Sequence, residues 1–240
     1  MGLKYEISKF IGGFRTNLPK DKSISRVLSR RKRLLYSYGI DTVLDIGANS
    51  GQFAVQMRRR LGYTNRILSF EPLSSAFELL KKRTENDSGW QAYNFALGET
   101  EEQRSINIAG NSCSSSLLNM LSSHIESAPK SEYTGVEIIE MKSLDSVFDG
   151  LCDKTNKIYM KIDTQGYESM VLKGAEKSLE NINTIQLEMS LIPLYEGELL
   201  FNDMCQLMNE KGYRLVGIEP GFTDKKSGEL LQVDGIFHRF

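Results

Sequence analysis

From Val43 to Ala54 the chain reads VLDIGANSGQFA, and no other stretch constrains the fold as tightly. A short run of β-forming residues carries an acid, Asp45, and then breaks into two glycines, Gly47 and Gly51, set among small side chains. This pattern predicts a buried strand that stops in a tight turn and re-enters as a helix. Glycines in such a turn permit close backbone approach, and the first turn of the helix offers free N–H groups to a ligand.

The rest of the chain repeats the strand–helix rhythm. Strands are predicted at Thr42–Ile46, Arg66–Phe70 and Gln91–Phe95, with helices at Gln52–Leu61 and Ser75–Glu85 between them. After two further strands, Ser105–Ile108 and Val136–Met141, the alternation resumes. It runs through the strand Ile158–Ile162, the helix Glu168–Leu179, the strand Thr184–Met189, the helix Leu200–Lys211 and the strand Tyr213–Ile218. Short apolar strands joined by helices of about ten residues require a parallel, doubly wound α/β sheet. The final strand, Leu231–Phe237, follows a turn-rich EPGFTDKKSGE with no helical pattern, so it is expected antiparallel to its predecessor. The polar stretch Ala109–Gly135 is long for a compact domain and reads as a lid over the site or a disordered segment.

The strand RILSFE ends in Glu71, 20 residues after Gly51, where an acid that grips ribose hydroxyls is expected. An adenosine-containing cofactor follows. The loop Gly47-Ala48-Asn49-Ser50-Gly51 lacks the middle glycine that a dinucleotide pyrophosphate needs, and it presents Asp45 where a pyrophosphate would favour cations. A carboxylate suits a ligand carrying an ammonium and a sulfonium. The cofactor expected is S-adenosylmethionine (SAM), with Glu71-Pro72 completing its site.

VLDIGANSG, SFEP, YNFALG, MKIDTQGYE, LIPLYEGE and LLQVDGIF, in this order, resemble the FkbM-type SAM-dependent methyltransferases over roughly residues 40 to 240. The resemblance implies the class I methyltransferase fold, a seven-stranded, mostly parallel Rossmann-like sheet with an antiparallel last strand. It also implies O-methylation of a sugar hydroxyl in a glycan, or of a polyketide or other small metabolite. Carried over by position, Asp45, Gly47, Ala48, Asn49, Ser50 and Gly51 would line the methionine side of SAM and Glu71 with Pro72 would hold the ribose. Asn94, Ala96 and Leu97 would lie beside the adenine, or serve as a strand end with core apolars. The domain would then be residues 41–240, preceded by an N-terminal helical extension, 1–40.

Methyl transfer to an alcohol needs alignment and removal of a proton. Asp163 ends the strand IYMKID, which belongs beside the first strand at the order reversal, so its carboxylate should face the methyl group. It is the first candidate for general base or for orienting the acceptor hydroxyl; capping the next helix is the competing role. Lys161, two residues earlier, shares its sheet face and would either contact SAM or form an ion pair. His124, in the polar stretch, is the second candidate base; it would otherwise be a surface histidine. Glu188 could join Asp163 at the acceptor, and Tyr195 with Glu196 would form an acceptor wall or simply pack. Two carboxyls without a visible third ligand make a weak metal signal, so no metal site is assigned and metal dependence stays open.

The bulk properties exclude rather than identify. A net charge of −1 gives no overall field for nucleic acid, and no nucleic-acid partner is expected. The segment Ser25–Tyr38 is basic; it reads as an amphipathic helix whose Arg30-Arg31-Lys32-Arg33 run is a solvated face or a weak peripheral contact with an anionic partner or membrane. Three scattered cysteines, no signal-like start and no apolar run of about 18 residues or more point to a cytoplasmic protein without a transmembrane segment. A SAM-binding partner protein without turnover is the non-enzyme alternative.

Overall fold

The computed structural model describes residues 22–240. Helix α1, Lys22–Ser37, leads to β1, Thr42–Ile46, then α2, Gln52–Gln56, which winds into a π-helical turn at Met57–Leu61. β2 (Arg66–Phe70), α3 (Ser74–Thr84) and β3 (Trp90–Tyr93) follow. β7 (Ile158–Ile162), β8 (Ile182–Ser190), β9 (Arg214–Pro220) and β10 (Gln232–His238) complete a seven-stranded sheet of order β3-β2-β1-β7-β8-β10-β9. All neighbours are parallel except β10, which runs antiparallel to both β8 and β9. The order reverses between β1 and β7, and this is where a doubly wound sheet opens its crevice.

β1 and β7 are buried along their whole length because helices cover both sheet faces. Alternate residues divide accordingly. Val43, Ile67, Tyr159 and Ile236 pack with α1, α2 and α3, whereas Leu44, Leu68, Met160 and Ile162 build the larger core on the other side. That larger core is closed by α5 (Leu144–Leu151), α6 (Glu168–Lys173) and α7 (Phe201–Glu210).

Three expectations change. The strands near residues 105 and 136 are longer, β5 (Glu102–Ala109) and β6 (Tyr133–Lys142), and they leave the main sheet. They pair antiparallel and, with β4 (Ala96–Leu97), form a separate three-stranded sheet. The segment between them contains α4, Ser122–Ser127, and bridges to the body at Asn107–Ser116 and Met120–Tyr195. The helix expected to reach Leu179 ends at Lys173; its C-cap, Gly174, packs on the Gly98 carbonyl, where a Cβ would sit 1.8 Å from the oxygen.

α1 covers the sheet through Leu28, Leu34 and Leu35. Arg31 is buried: it pairs with Glu219 and donates to Gln56 Oε1 at 2.9 Å. One member of the basic run is thereby a structural residue, not part of a solvated face. Residues 1–21 of the expected extension lie outside the described residues.

Candidate active site

The glycine loop follows from packing as much as from ligand access. Gly47 and Gly51 have φ of 74° and 85°, in the left-handed region where a side chain is strained. A Cβ on Gly47 would stand 1.9 Å from the carbonyl oxygen of Asp163, and one on Gly51 2.8 Å from the Trp90 ring. So Gly47 lets the β1 loop cross the end of β7, and Gly51 seats the start of α2 on Trp90 and Leu80.

Beside this crossing lies a cavity of about 310 Å³, at the lower end of the usual range for ligand sites. The β1 loop contributes Gly47, Ala48 and Asn49 to its wall; Glu71 and Pro72 follow β2, and Ala96 and Leu97 form part of an apolar side with Phe70 and Ile106. The segment after β5 closes over it through Ser112, Cys113, Ser115 and Leu117, and Asn49 Nδ2 ties down the Ser112 carbonyl at 2.7 Å. Lys161 and Asp163 meet these walls from β7.

Glu71 is buried, and each oxygen accepts one backbone N–H, from Asn49 at 2.7 Å and from Leu73 at 2.9 Å. A carboxylate has about four acceptor positions, so both oxygens retain capacity toward the cavity. Burial, only partly offset by these bonds, pushes its pKa up to about 7.

Lys161 and Asp163 do share a face. Lys161 Nζ lies 2.9 Å from Asp163 Oδ2 and 3.8 Å from Asp45 Oδ1. The other Asp163 oxygen accepts from Gln165 Nε2 at 2.9 Å, and the same amide nitrogen reaches Glu188 Oε2 at 2.6 Å. Gln165 is itself fixed: its φ is 57°, Tyr195 donates to its Oε1 at 2.7 Å, and Ser116 donates to its carbonyl at 2.7 Å. Burial opposes the charge on Asp163, but Lys161 and the hydrogen bonds outweigh it and hold the carboxyl below its ordinary range. Burial and then the charge of Asp163 push Glu188 well above its own. The two neighbouring acids are pushed in opposite directions, as expected of two carboxyls whose environments differ.

Asp163 caps no helix. α6 begins at Glu168, which reaches back to accept from Thr164 N at 2.8 Å and from Thr164 Oγ1 at 3.1 Å. Asp163 is therefore free for the cavity.

Several predicted residues stand elsewhere. Asp45 is fully buried beneath the loop, bonded by Ser69 at 3.2 Å, and burial raises its pKa; it acts on the cavity only through Lys161. Ser50 and Gly51 lie behind the wall, and Asn94 turns its amide to the carbonyls of Glu71 and Pro72 at 3.0 Å each. His124 is on α4, buried in a separate cluster against Tyr195 and Phe222 at 5.1 and 5.4 Å between ring centres, and burial takes its pKa down to about 4. Tyr195 is likewise buried and serves Gln165; Glu196 bonds Asn119 at 3.0 Å. Sequence reasoning missed Gln165; of the polar stretch Ala109–Gly135, read as a lid or a disordered segment, Ser112, Cys113, Ser115 and Leu117 are the residues on the cavity wall. The TQG triplet was a signal for Gln165, since a glycine after a polar residue marks a strained turn. Among the described residues no group of three or more His, Cys, Asp or Glu is arranged to hold a metal ion.

Residues 45–215 match the methyltransferase FkbM domain. The chain belongs to the FkbM methyltransferase family. Its fold is that of class I methyltransferases: magnesium protoporphyrin IX methyltransferase from Synechocystis PCC 6803 aligns with a TM-score of 0.51 in its SAH-bound structure. There the identity is 7%, over 98% of this chain and 93% of that one. The SAM-bound structure of the same protein gives 0.50, again at 7% identity, over 100% and 92%. Methyltransferase FkbM from Methylobacillus flagellatus KT aligns at 14% identity with a TM-score of 0.47, over 82% of this chain and 43% of that one, so the chain spans less than half of that protein. No curated protein sequence matches. Among the described residues no helix is long and apolar enough to cross a membrane.

Proposed function

We infer that this protein is a SAM-dependent O-methyltransferase acting on a hydroxyl of a sugar or glycoconjugate. The residues fit the cofactor. Glu71 keeps acceptor capacity for ribose hydroxyls, Phe70, Pro72, Leu73, Ala96 and Leu97 offer an apolar slot for adenine, and Gly47 to Asn49 leave backbone room for the methionine end. Lys161 lies between Asp45 and Asp163, two carboxyls to one ammonium, which suits a ligand bearing a sulfonium and an ammonium. SAM supplies an electrophilic methyl whose departure leaves a neutral thioether.

The observation that carries the reading is Asp163, ionised, at the cavity wall and clamped on both oxygens. The acceptor O–H donates to it, which fixes the oxygen for in-line attack. A carboxylate below its ordinary pKa is a weak base, so its main contribution is orientation and charge; the proton moves to it only as the C–O bond forms. Gln165 Nε2 bridges Asp163 to Glu188, whose carboxyl burial and the charge of Asp163 push well above its ordinary range, while Lys161 favours the charge on Asp163.

The test is incubation with SAM and a panel of sugars, glycoconjugates and polyketides, read by mass spectrometry for a gain of one methyl group. Sugar products carrying an O-methyl support the reading. Exclusive methylation of polyketides or of nitrogen acceptors overturns it.

A further inference from the structure

The layer of helices on one sheet face has a charge unlike the rest of the chain. Lys22–Ser37, Gln52–Leu61 and Ser74–Thr84 carry twelve lysines and arginines and one acid, Glu78, in a chain whose totals are 30 and 31. The three segments are contiguous. Arg31 of α1 bonds Gln56 of α2 at 2.9 Å, and Lys32 Nζ lies 3.9 Å from where a Cβ on Gly62 would stand. Leu80 of α3 packs against the start of α2 at Gly51. Burial and then the like charge of Arg59 lower the pKa of Arg83, so the basic side chains of α2 and α3 crowd one another.

Some of this charge is used internally. Arg31 and Arg30 face Glu219, and Arg58 pairs with Asp87 at 2.7 Å. Lys32, Arg33, Arg59, Arg60, Lys81 and Lys82 are exposed. The helix dipole favours cations in a last turn and accounts for those that close α2 and α3, but not for the run 30–33 in the middle of α1.

Two apolar residues stand out among these charges: Tyr36, 74% exposed and within 5.8 Å of Lys32 Nζ, and Leu79, 53% exposed and one turn before Lys82 and Arg83. An exposed leucine adds nothing to contacts with nucleic-acid phosphates, whereas leucine and tyrosine both gain by entering a lipid headgroup region. A depression of about 360 Å³, beside Lys32, Tyr36, Gly62 and Tyr63, lies in the same surface. We propose that this helical layer is a docking surface for an anionic lipid bilayer, with Tyr36 and Leu79 inserted among the headgroups. Gln52 and Phe53 at the start of α2 line the cavity, and Arg59 and Arg60 lie at the far end of the same helical segment. Docking through the basic end leaves the cavity directed away from the lipid.

The test is sedimentation of the full chain with vesicles of mixed phosphatidylglycerol and phosphatidylcholine, against phosphatidylcholine alone. The expected result is binding to the anionic vesicles only, weakened by salt, and lost in the triple variant Lys81→Glu, Lys82→Glu, Arg83→Glu. Each basic residue removed should lower the partition coefficient roughly fivefold. The pair Lys225→Glu, Lys226→Glu, in the turn between β9 and β10, changes net charge elsewhere and should leave binding nearly intact. Leu79→Ser should weaken vesicle binding while leaving heparin binding unchanged. Equal losses in the two charge variants would reduce the effect to net charge and overturn the proposal. So would failure of the unmodified chain to sediment at low salt, or binding to double-stranded RNA that outcompetes vesicles and ignores Leu79→Ser. Leu79, Lys81, Lys82, Lys225 and Lys226 are exposed and Arg83 is half-buried, and matched melting curves certify the fold.

Discussion

Asp163→Asn separates chemistry from scaffold, and the structure gives both magnitudes. Each carboxylate oxygen now accepts from a nitrogen, Lys161 Nζ on one side and Gln165 Nε2 on the other, both at 2.9 Å. An amide has one oxygen, so one of those donors must face an N–H₂ group. A buried donor left unsatisfied costs about 1–3 kcal/mol; the Asp163 side chain is 32% exposed, so water can relieve part of this and about 1 kcal/mol is expected. For a protein of this size that lowers Tm by about 2–4 °C.

The effect on catalysis should be larger. Loss of a positioned acid–base group costs about 10²–10⁴ in turnover, or roughly 3–5 kcal/mol of barrier. Single-turnover methyl transfer, calorimetric SAM binding and thermal melting on one preparation would read the three quantities apart. SAM affinity should fall less than about tenfold, because Glu71, which holds the ribose, is unchanged and Asp163 acts on the acceptor hydroxyl. Asp163→Ala, which removes the clash but not the missing charge, should be as inactive as Asp163→Asn. Normal turnover with a lowered Tm in Asp163→Asn would refute the reasoning and leave Asp163 as a clamp for Lys161.

Four further outcomes are expected. Glu71→Ala should weaken SAM binding by about 1.5–3 kcal/mol in calorimetry. Because burial raises Glu71 to about 7, its contribution to the stability of the free protein is complete below its unfolded pKa and is lost as pH rises through 7. The ribose needs the carboxylate, so SAM affinity should fall as pH drops below 7 and proton release should accompany binding near pH 6; an affinity flat from pH 6 to 8 would contradict this. Gly47→Ala, whose Cβ would overlap the Asp163 carbonyl at 1.9 Å, should cost about 3 kcal/mol or more in urea unfolding, the sum of a strained φ and an overpacked contact. His124→Ala should lower stability by about 2 kcal/mol, as truncation of a buried side chain does, and leave turnover within a few-fold; a loss like that of Asp163→Asn would return the base to α4.

Local periodicity made the main sheet legible, because each strand there is a short apolar run followed by a turn and a helix, and one sequence window contains the whole signal. The antiparallel β10 was legible for the same reason: too few residues separate it from β9 for a crossover. The separate sheet was not. β5 and β6 have ordinary strand composition, and which sheet a strand joins is decided by partners far along the chain, here Ala96–Leu97 and the return through α4.

The site divides along the same line. Gly47, Glu71 and Asp163 were legible because each ends a strand whose neighbours were known, so topology carried them to one crevice. Asp45 and His124 were misplaced because residue chemistry was read without burial. A carboxylate in the β1 motif suggests contact with a cation, but the pleat turns Asp45 under the loop, where Lys161 relays its charge. A histidine in a polar segment suggests exposure, yet α4 folds it against Tyr195 and Phe222, from different parts of the chain. Gln165 combines both difficulties. Its partners Asp163, Glu188, Ser116 and Tyr195 come from four segments, and its backbone strain at φ 57° is tolerated only because all four hold it. No local propensity carries that set of contacts, in which one amide nitrogen reaches both carboxyls.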